Sequence, residues 1–242
     1  MRTTTPMLPV LAASFVAMIA SGVAGCSSAT SDPATGASSG TPSGTSGGTT
    51  PAPKVPPKGD PADPAPVDPT NDPSLGPCTG AAGELYALSP VGLTGGTPVP
   101  LCKFAGSVLM IVNVASSCGY TPQYAPLQAL YTKYRAQGFY VLGFPSKSFN
   151  QELETGADVS SFCTTEYGIT FPMFDIGDVN GAAQQPVYTW LKGQPGYEAD
   201  IPWNFEKWIV DRHGKVAKRI VYTKSPDSPD VVAAIEAELA KK

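Results

Sequence analysis

Two apolar runs of strand length, separated by one amphipathic segment, constrain most strongly what this chain can fold into. The runs cover residues 108–115 and 139–144, and each is typical of a buried strand. Between them, apolar side chains recur on one helical face: Leu127, Leu130, Tyr131 and Tyr134. Gly138 then supplies a helix stop. A strand, a helix and a strand in this order predict a βαβ unit with parallel strands.

The segments that follow complete an α/β domain. Residues 158–167 predict a short helix, and residues 187–192 predict a further turn or helix. Residues 207–210 and 215–221 flank the turn sequence DRHG as a hairpin. The Ser-Pro pair at 228–229 opens a last helix. The order βαβ followed by ββα predicts a thioredoxin-like α/β sandwich with a central mixed sheet and flanking helices.

The N-terminus of the 242-residue chain has the layout of a secretory signal peptide. Residues 1–25 contain one arginine, an apolar stretch and then small residues. The string VAGC, which ends at Cys26, resembles the lipobox of bacterial lipoproteins, so we expect cleavage before Cys26 and lipid attachment to it. An uncleaved membrane helix is the alternative, but the stretch is only marginally long enough. We expect an exported protein that is lipid-anchored to a bacterial membrane, in the periplasm or at the outer membrane.

Residues 26–77 predict a linker rather than a folded domain. Residues 27–50 are almost wholly Ser, Thr, Gly and Ala, which favours disorder. Residues 51–77 contain ten prolines and favour an extended polyproline II conformation. The folded domain is therefore predicted at residues 78–242, which are enough for one substantial core. The formal charge of -4, without a basic cluster, argues against a nucleic-acid partner.

Cys118 is the candidate reactive residue, because it follows the first predicted strand and precedes the helix. Unpaired N–H groups and the positive end of the helix dipole favour the thiolate there. The single histidine, His213, lies in the DRHG turn, which argues against a Cys–His hydrolase and a His-rich metal site. Thr121 stands where a C-x-x-C dithiol would have its second cysteine. The chemistry that remains is attack by a lone thiolate on the O–O bond of a hydroperoxide.

Five strings between residues 100 and 242 occur in one order: NVASSCGYTPQYAPLQALY, GFP, FCTTEYGITFPMF, DVNG and WNFEKWIVDRHG. Together they resemble the glutathione peroxidase family. The resemblance implies a cysteine-type thiol peroxidase in which Cys118 is the peroxidatic residue and Trp203 and Asn204 flank its sulfur. The indole N–H and the amide are donors suited to stabilising a thiolate and the leaving oxygen. It implies no cofactor and no metal.

One position departs from the family pattern F-P-x-N-Q-F. Residues 144–149 are FPSKSF, so Ser148 stands where the resemblance places a site glutamine, and Gln151 matches an outer glutamine. A serine has a shorter reach, which predicts a weaker donor and a lower rate. We therefore carry two hypotheses. The first is a peroxidase that reduces hydrogen peroxide or organic hydroperoxides and protects against oxidative stress, and the second is a non-enzymatic or weakly active redox-sensing lipoprotein.

Cys163 lies in the FCTTEYG string. Resemblance to thioredoxin-dependent members of the family implies that Cys163 resolves the sulfenic acid of Cys118 as a disulfide. The reductant would then be a thioredoxin-like protein or glutathione. The alternative is a buried core cysteine, because Val159, Phe162 and Tyr167 share a helical face with Cys163. A helical Cys163 would have to leave its helix to reach Cys118.

The remaining cysteines favour one structural disulfide. With Cys26 lipidated, four cysteines remain and three pairings are possible. We favour Cys78 with Cys102, which leaves the other two thiols for redox chemistry. Exchange of Cys78 or Cys102 with Cys118 is the alternative. Only a short segment, GQPGYEADIP, precedes Trp203, so an oligomer-forming insertion is absent there and we expect a monomer.

Overall fold

The computed structural model describes residues 84–241 together with Leu75, Pro77 and Cys78. The signal peptide predicted at residues 1–25, the lipid site predicted at Cys26 and nearly all of the linker predicted at 26–77 lie outside the described residues. Within the described part, no helix has the length and apolar character needed to cross a membrane.

A mixed sheet of four strands forms the centre of the domain, in the spatial order β2, β1, β3, β4. The strands are β1 (Val108–Val114), β2 (Phe139–Pro145), β3 (Lys207–Val210) and β4 (Val216–Ile220). β1 is parallel to β2 and antiparallel to β3, and β3 is antiparallel to β4. Every residue of β1, β2 and β3 is buried, whereas the edge strand β4 is partly exposed. The predicted parallel unit and the C-terminal hairpin are both confirmed.

Four helices flank the sheet: α1 (Tyr124–Tyr134), α2 (Gly156–Tyr167), α3 (Pro186–Lys192) and α4 (Pro229–Ala240). Local chemistry sets their ends. The Thr155 hydroxyl accepts a hydrogen bond from the Asp158 amide at the start of α2, and Gly168 ends α2 in the left-handed conformation. α1 packs against β2 and α2, and α4 packs against β1. This is the thioredoxin-like α/β sandwich that the sequence predicts.

The topology brings three chain segments to one edge of the sheet. Because β1 and β2 are parallel, the loops that leave their carboxyl ends start at the same edge. β3 is antiparallel to β1 and enters the sheet there, since Lys207 pairs with Val112 near the end of β1. The loop with Cys118, the loop after Pro145 and the segment before Lys207 therefore meet at this edge.

The entry to the domain is held by a disulfide between Cys78 and Cys102, with a Cα–Cα distance of 5.0 Å. This is the pairing that the sequence analysis favoured. Cys102 lies in a 3₁₀ turn, Leu101–Phe104, and the first and last residues of that turn are fully buried. The disulfide therefore joins the start of the domain to a turn that is anchored in the core.

Replacing both cysteines, as Cys78→Ala with Cys102→Ala, should lower the stability of the protein. The bond closes a loop across a sequence separation of 24 residues. The chain-entropy model gives a loss of about 3.5 kcal/mol for a loop of this size. Urea denaturation of the double variant and of the oxidised wild type measures the difference. Equal midpoints and equal slopes would show that the disulfide does not restrict the unfolded chain.

Candidate active site

Cys118 lies in the turn between β1 and α1 and is only 7% exposed. The Thr121 hydroxyl closes this turn: it accepts a hydrogen bond from the Cys118 amide (2.9 Å) and donates one to the Ala115 carbonyl (2.8 Å). The Tyr120 amide donates to the Cys118 Sγ at 3.4 Å. Thr121 thus has a structural role at the position where a dithiol motif would have cysteine. The sulfur faces a backbone donor, as expected at the start of a helical segment.

The segment that carries Trp203 is fastened to the end of β1 by Asn113. The fully buried Asn113 side chain donates from Nδ2 to the Trp203 carbonyl and accepts from the Glu206 amide, both at 3.0 Å. The Phe205 amide donates to the Asn113 carbonyl at 2.6 Å. Trp203 and Asn204 are therefore held at the edge of the sheet from which the Cys118 loop leaves.

Phe205 adopts a left-handed backbone conformation, with a φ of 67°. Such a conformation costs a bulky residue of the order of 1–3 kcal/mol. Burial compensates for part of it, because the Phe205 ring is fully buried and lies edge-on to the Tyr124 ring at 5.5 Å. The turn at Phe205 directs the preceding residues, Trp203 and Asn204, toward the site while the chain continues into β3.

Gln151 completes this group of polar residues. The Asn204 side chain is fully buried, and its Nδ2 donates to the Gln151 Oε1 at 3.0 Å. The Gln151 carbonyl accepts from the Ser117 amide at 2.9 Å, so Gln151 also touches the residue before Cys118. Trp203 is partly exposed and packs against Phe149, with ring centroids 5.1 Å apart.

In this structure the Ser148 hydroxyl is bonded away from the Cys118 loop. It donates to Asp178 Oδ1 (3.2 Å) and accepts from the Val179 amide (3.0 Å), so it braces a different loop. The cause is a turn after β2, in which Asn150 has a left-handed φ of 53° and its amide donates to the Lys147 carbonyl. This turn brings Gln151, rather than Ser148, against the Cys118 loop.

The position of Gln151 bears on the second hypothesis. The weakly active, redox-sensing alternative depended on the loss of a glutamine at position 148. Gln151 supplies a carboxamide beside Asn204, and its Oε1 accepts from Asn204 Nδ2. A signal was present in the sequence, because asparagine readily adopts the left-handed conformation and the loop after Phe149 is short. The motif position alone, which aligns Ser148 with the family glutamine, does not indicate this turn.

Cys163 and Cys118 are separate thiols with different environments. Cys163 lies within α2 and is 2% exposed. Burial raises the pKa of Cys163 to about 12, the charge of Glu152 adds to the rise, and the nearby Tyr124 hydroxyl opposes it. That hydroxyl faces the thiol without a hydrogen bond of normal geometry. Burial thus favours the protonated thiol of Cys163 at neutral pH.

The remaining candidates have no part in this cluster. His213 is exposed in the turn between β3 and β4, where its amide donates to Asp211 Oδ1. Among residues 84–241, no group of three or more His, Cys, Asp or Glu side chains is placed to hold a metal ion. The described site therefore consists of a nearly buried thiol in the turn between β1 and α1, with the Asn204–Gln151 pair attached to the same loop through Ser117.

Comparison with known proteins gives the family. The glutathione peroxidase family model matches residues 85–192. Hydroperoxy fatty acid reductase gpx1 of Synechocystis sp. is 44% identical over 165 residues, which are 64% of this chain and 96% of that protein. Thioredoxin/glutathione peroxidase BtuE of Escherichia coli is 41% identical over 169 residues, covering 60% of this chain and 92% of that protein.

A solved structure has the same fold. The crystal structure of Trgpx in its apo form superposes with a TM-score of 0.52 at 30% sequence identity, over 66% of this chain and 98% of that one. The chain belongs to the glutathione peroxidase family, and it is a thiol-dependent peroxidase that reduces hydroperoxides.

Replacing Gln151 should damage the site, whereas replacing Ser148 should not. Gln151→Leu keeps the volume but removes the partner of Asn204, so we expect the peroxide reduction rate to fall about a hundredfold. Ser148→Ala removes only the brace to Asp178 and Val179, and its rate should stay within about threefold of wild type. Stopped-flow measurement of hydrogen peroxide reduction compares the two. A larger loss in Ser148→Ala than in Gln151→Leu would reverse the assignment.

Proposed function

We propose that Cys118 is the peroxidatic cysteine of this thiol peroxidase. Its thiolate attacks one oxygen of a hydroperoxide, the O–O bond breaks, and the sulfur becomes a sulfenic acid. The other oxygen leaves with a proton as water or an alcohol. The observation that carries this proposal is the Tyr120 amide aimed at the Cys118 Sγ at the start of the helical segment. That donor holds the sulfur in the turn where the attack is proposed to occur.

Trp203 and Asn204 are proposed as donors to the reacting oxygen atoms. The indole N–H and the carboxamide do not titrate near neutral pH, so they remain donors throughout the reaction. Gln151 holds the Asn204 amide in place from the other side. Preorganised donors of this kind stabilise the charge that develops on the leaving oxygen.

Cys163 is proposed as the resolving cysteine. Its thiol attacks the sulfenic acid of Cys118, a disulfide forms, and the sulfenic oxygen leaves as water. Both residues are free thiols and Cys163 is buried within α2, so the proposed step includes a local opening of α2. Weak helix formers around Cys163 favour such opening at modest cost: Ser160, Ser161, Thr164 and Thr165.

The natural reductant and substrate are proposed from the relatives. One relative is named for both thioredoxin and glutathione, which supports a thioredoxin-like protein as the reductant of the Cys118–Cys163 disulfide, with glutathione as the alternative. Another relative is named a hydroperoxy fatty acid reductase, which supports organic hydroperoxides beside hydrogen peroxide as substrates. The reducing dithiol becomes a disulfide as both cysteines return to thiols, so electrons balance.

Two serine variants separate the roles of the thiols. Cys118→Ser should abolish peroxide consumption, because the attacking sulfur is absent. Cys163→Ser should block turnover with thioredoxin but still form one sulfenic acid per chain, which dimedone labelling and mass spectrometry detect. In the reduced wild type at pH 8, Cys163 should resist iodoacetamide, because its pKa is about 12. Full thioredoxin-dependent turnover by Cys163→Ser would exclude the resolving role.

We also propose that the protein is exported, lipid-anchored through Cys26 and monomeric. The signal layout of residues 1–25 and the VAGC string support the anchor, and Ser27 after the anchor supports the outer membrane. The short segment before Trp203 supports the monomer. A peroxidase in this place would remove hydroperoxides at the membrane surface.

Radiolabelled palmitate should enter the wild-type protein in a Gram-negative host, and Cys26→Ser should remove the label, because the thioether site is lost. Ser27→Asp is the control: it keeps the lipid and should move the protein from the outer to the inner membrane fraction. Light scattering of the protein should give the mass of one chain. Label retained by Cys26→Ser would contradict the anchor, and a dimer mass would contradict the monomer.

A further inference from the structure

Lys207, the first residue of β3, is fully buried. Its Nζ donates to the Gln123 Oε1 at 2.6 Å and to the Tyr222 carbonyl at 3.5 Å. In the described part of the chain no carboxylate forms an ion pair with this ammonium, and the adjacent Glu206 is paired with Arg219 at 2.7 Å. A buried charge without a counter-charge opposes folding. The presence of a lysine at this position is therefore not explained by a contribution to stability.

A short series of contacts links Lys207 to the sulfur of Cys118. The Gln123 side chain donates from Nε2 to the Tyr222 carbonyl at 2.7 Å, and the Gln123 amide donates to the Tyr120 carbonyl at 2.9 Å. The Tyr120 amide is the donor to the Cys118 Sγ. The Tyr120 ring also packs edge-on against the Tyr222 ring, with centroids 5.3 Å apart. The turn that presents the donor is thus attached to Gln123.

We propose that Lys207 is a positioning residue of the peroxidatic site, whose ammonium holds Gln123 and thereby the Tyr120 amide against the Cys118 sulfur. This inference rests on the proposed role of Cys118. Lys207 also follows the segment that carries Asn204, so it joins the two sides of the site. The buried Lys207–Gln123 contact links the turn after Cys118 to β3.

The protonation of Lys207 gives this contact a pH dependence. Burial lowers the pKa of Lys207 to about 7, and the charge of Glu206 opposes the shift. The other titratable residues that the contacts connect to it are Arg219, which pairs with Glu206, and Tyr222, whose carbonyl accepts from Lys207 Nζ and whose ring packs against Tyr120. Below about pH 7 the ammonium donates strongly to Gln123. Above that pH the neutral amine is a weaker donor, so the contact loosens.

The same shift affects stability with a defined sign. An unfolded lysine keeps its proton up to about pH 10, whereas the folded one loses it near pH 7. Between these values the unfolded state binds more protons, so stability rises with pH. Replacing the lysine by an uncharged residue removes this dependence.

The test is Lys207→Met, which keeps the apolar stem and removes the ammonium. At pH 6 we expect Cys118 to react at least about tenfold more slowly than in wild type, both with hydrogen peroxide and with iodoacetamide. At pH 8.5 the difference should shrink to within about threefold, because the wild-type lysine is then neutral. The melting temperature at pH 6 should be unchanged or higher, since a buried charge is lost. Lys215→Met, in the exposed β3–β4 turn, is the control and should match wild type throughout.

Wild-type rates for Lys207→Met at pH 6 would overturn the proposal, and so would a loss of equal size at both pH values. If this variant does not fold, Gln123→Leu replaces it, because it removes the acceptor instead. The same pH-dependent loss then supports the proposal, and unchanged rates overturn it. Alkylation by iodoacetamide needs no peroxidase turnover. A wild type that reduces no peroxide would therefore refute the proposed function, while the alkylation rates still decide the role of Lys207.

Discussion

The buried carboxamide of Asn113 is the contact on which the rest of the site depends. It lies at the end of the central strand β1 and binds the backbone of the segment 203–206 at two points, through Trp203 and Glu206. A buried amide that satisfies both its donor and its acceptor sides specifies one arrangement of the chains around it. This contact, together with the left-handed turn at Phe205, places the Trp203–Asn204 pair at the carboxyl end of β1.

The two free thiols of the domain differ mainly in what surrounds them. Cys118 lies in a turn, beside a backbone donor and close to solvent. Cys163 lies on the inner face of α2, where burial keeps the thiol protonated. In the proposed mechanism Cys118 reacts with peroxide first, and Cys163 forms the disulfide only after α2 opens.

Much of the fold follows from periodicity, because the elements are short and their apolar faces are regular. The strands at 108–115 and 139–144 differ by no more than one residue from the observed β1 and β2. The helix that starts at Gly156 begins two residues before its predicted start, since Thr155 caps it. Helix ends of this kind depend on one side chain and its partner, so they are predicted less accurately than helix centres.

The sequence alone determined that one thiol stands at a strand-to-helix junction and that no histidine or second cysteine accompanies it there. It could not determine which polar side chains approach that thiol. Position in a motif pointed to Ser148, but the turn at Asn150 brings Gln151 to the site. The contact of Lys207 with Gln123 joins residues 84 positions apart. Such contacts depend on the direction of a turn and on which strands are neighbours, and only the packed tertiary structure decides both.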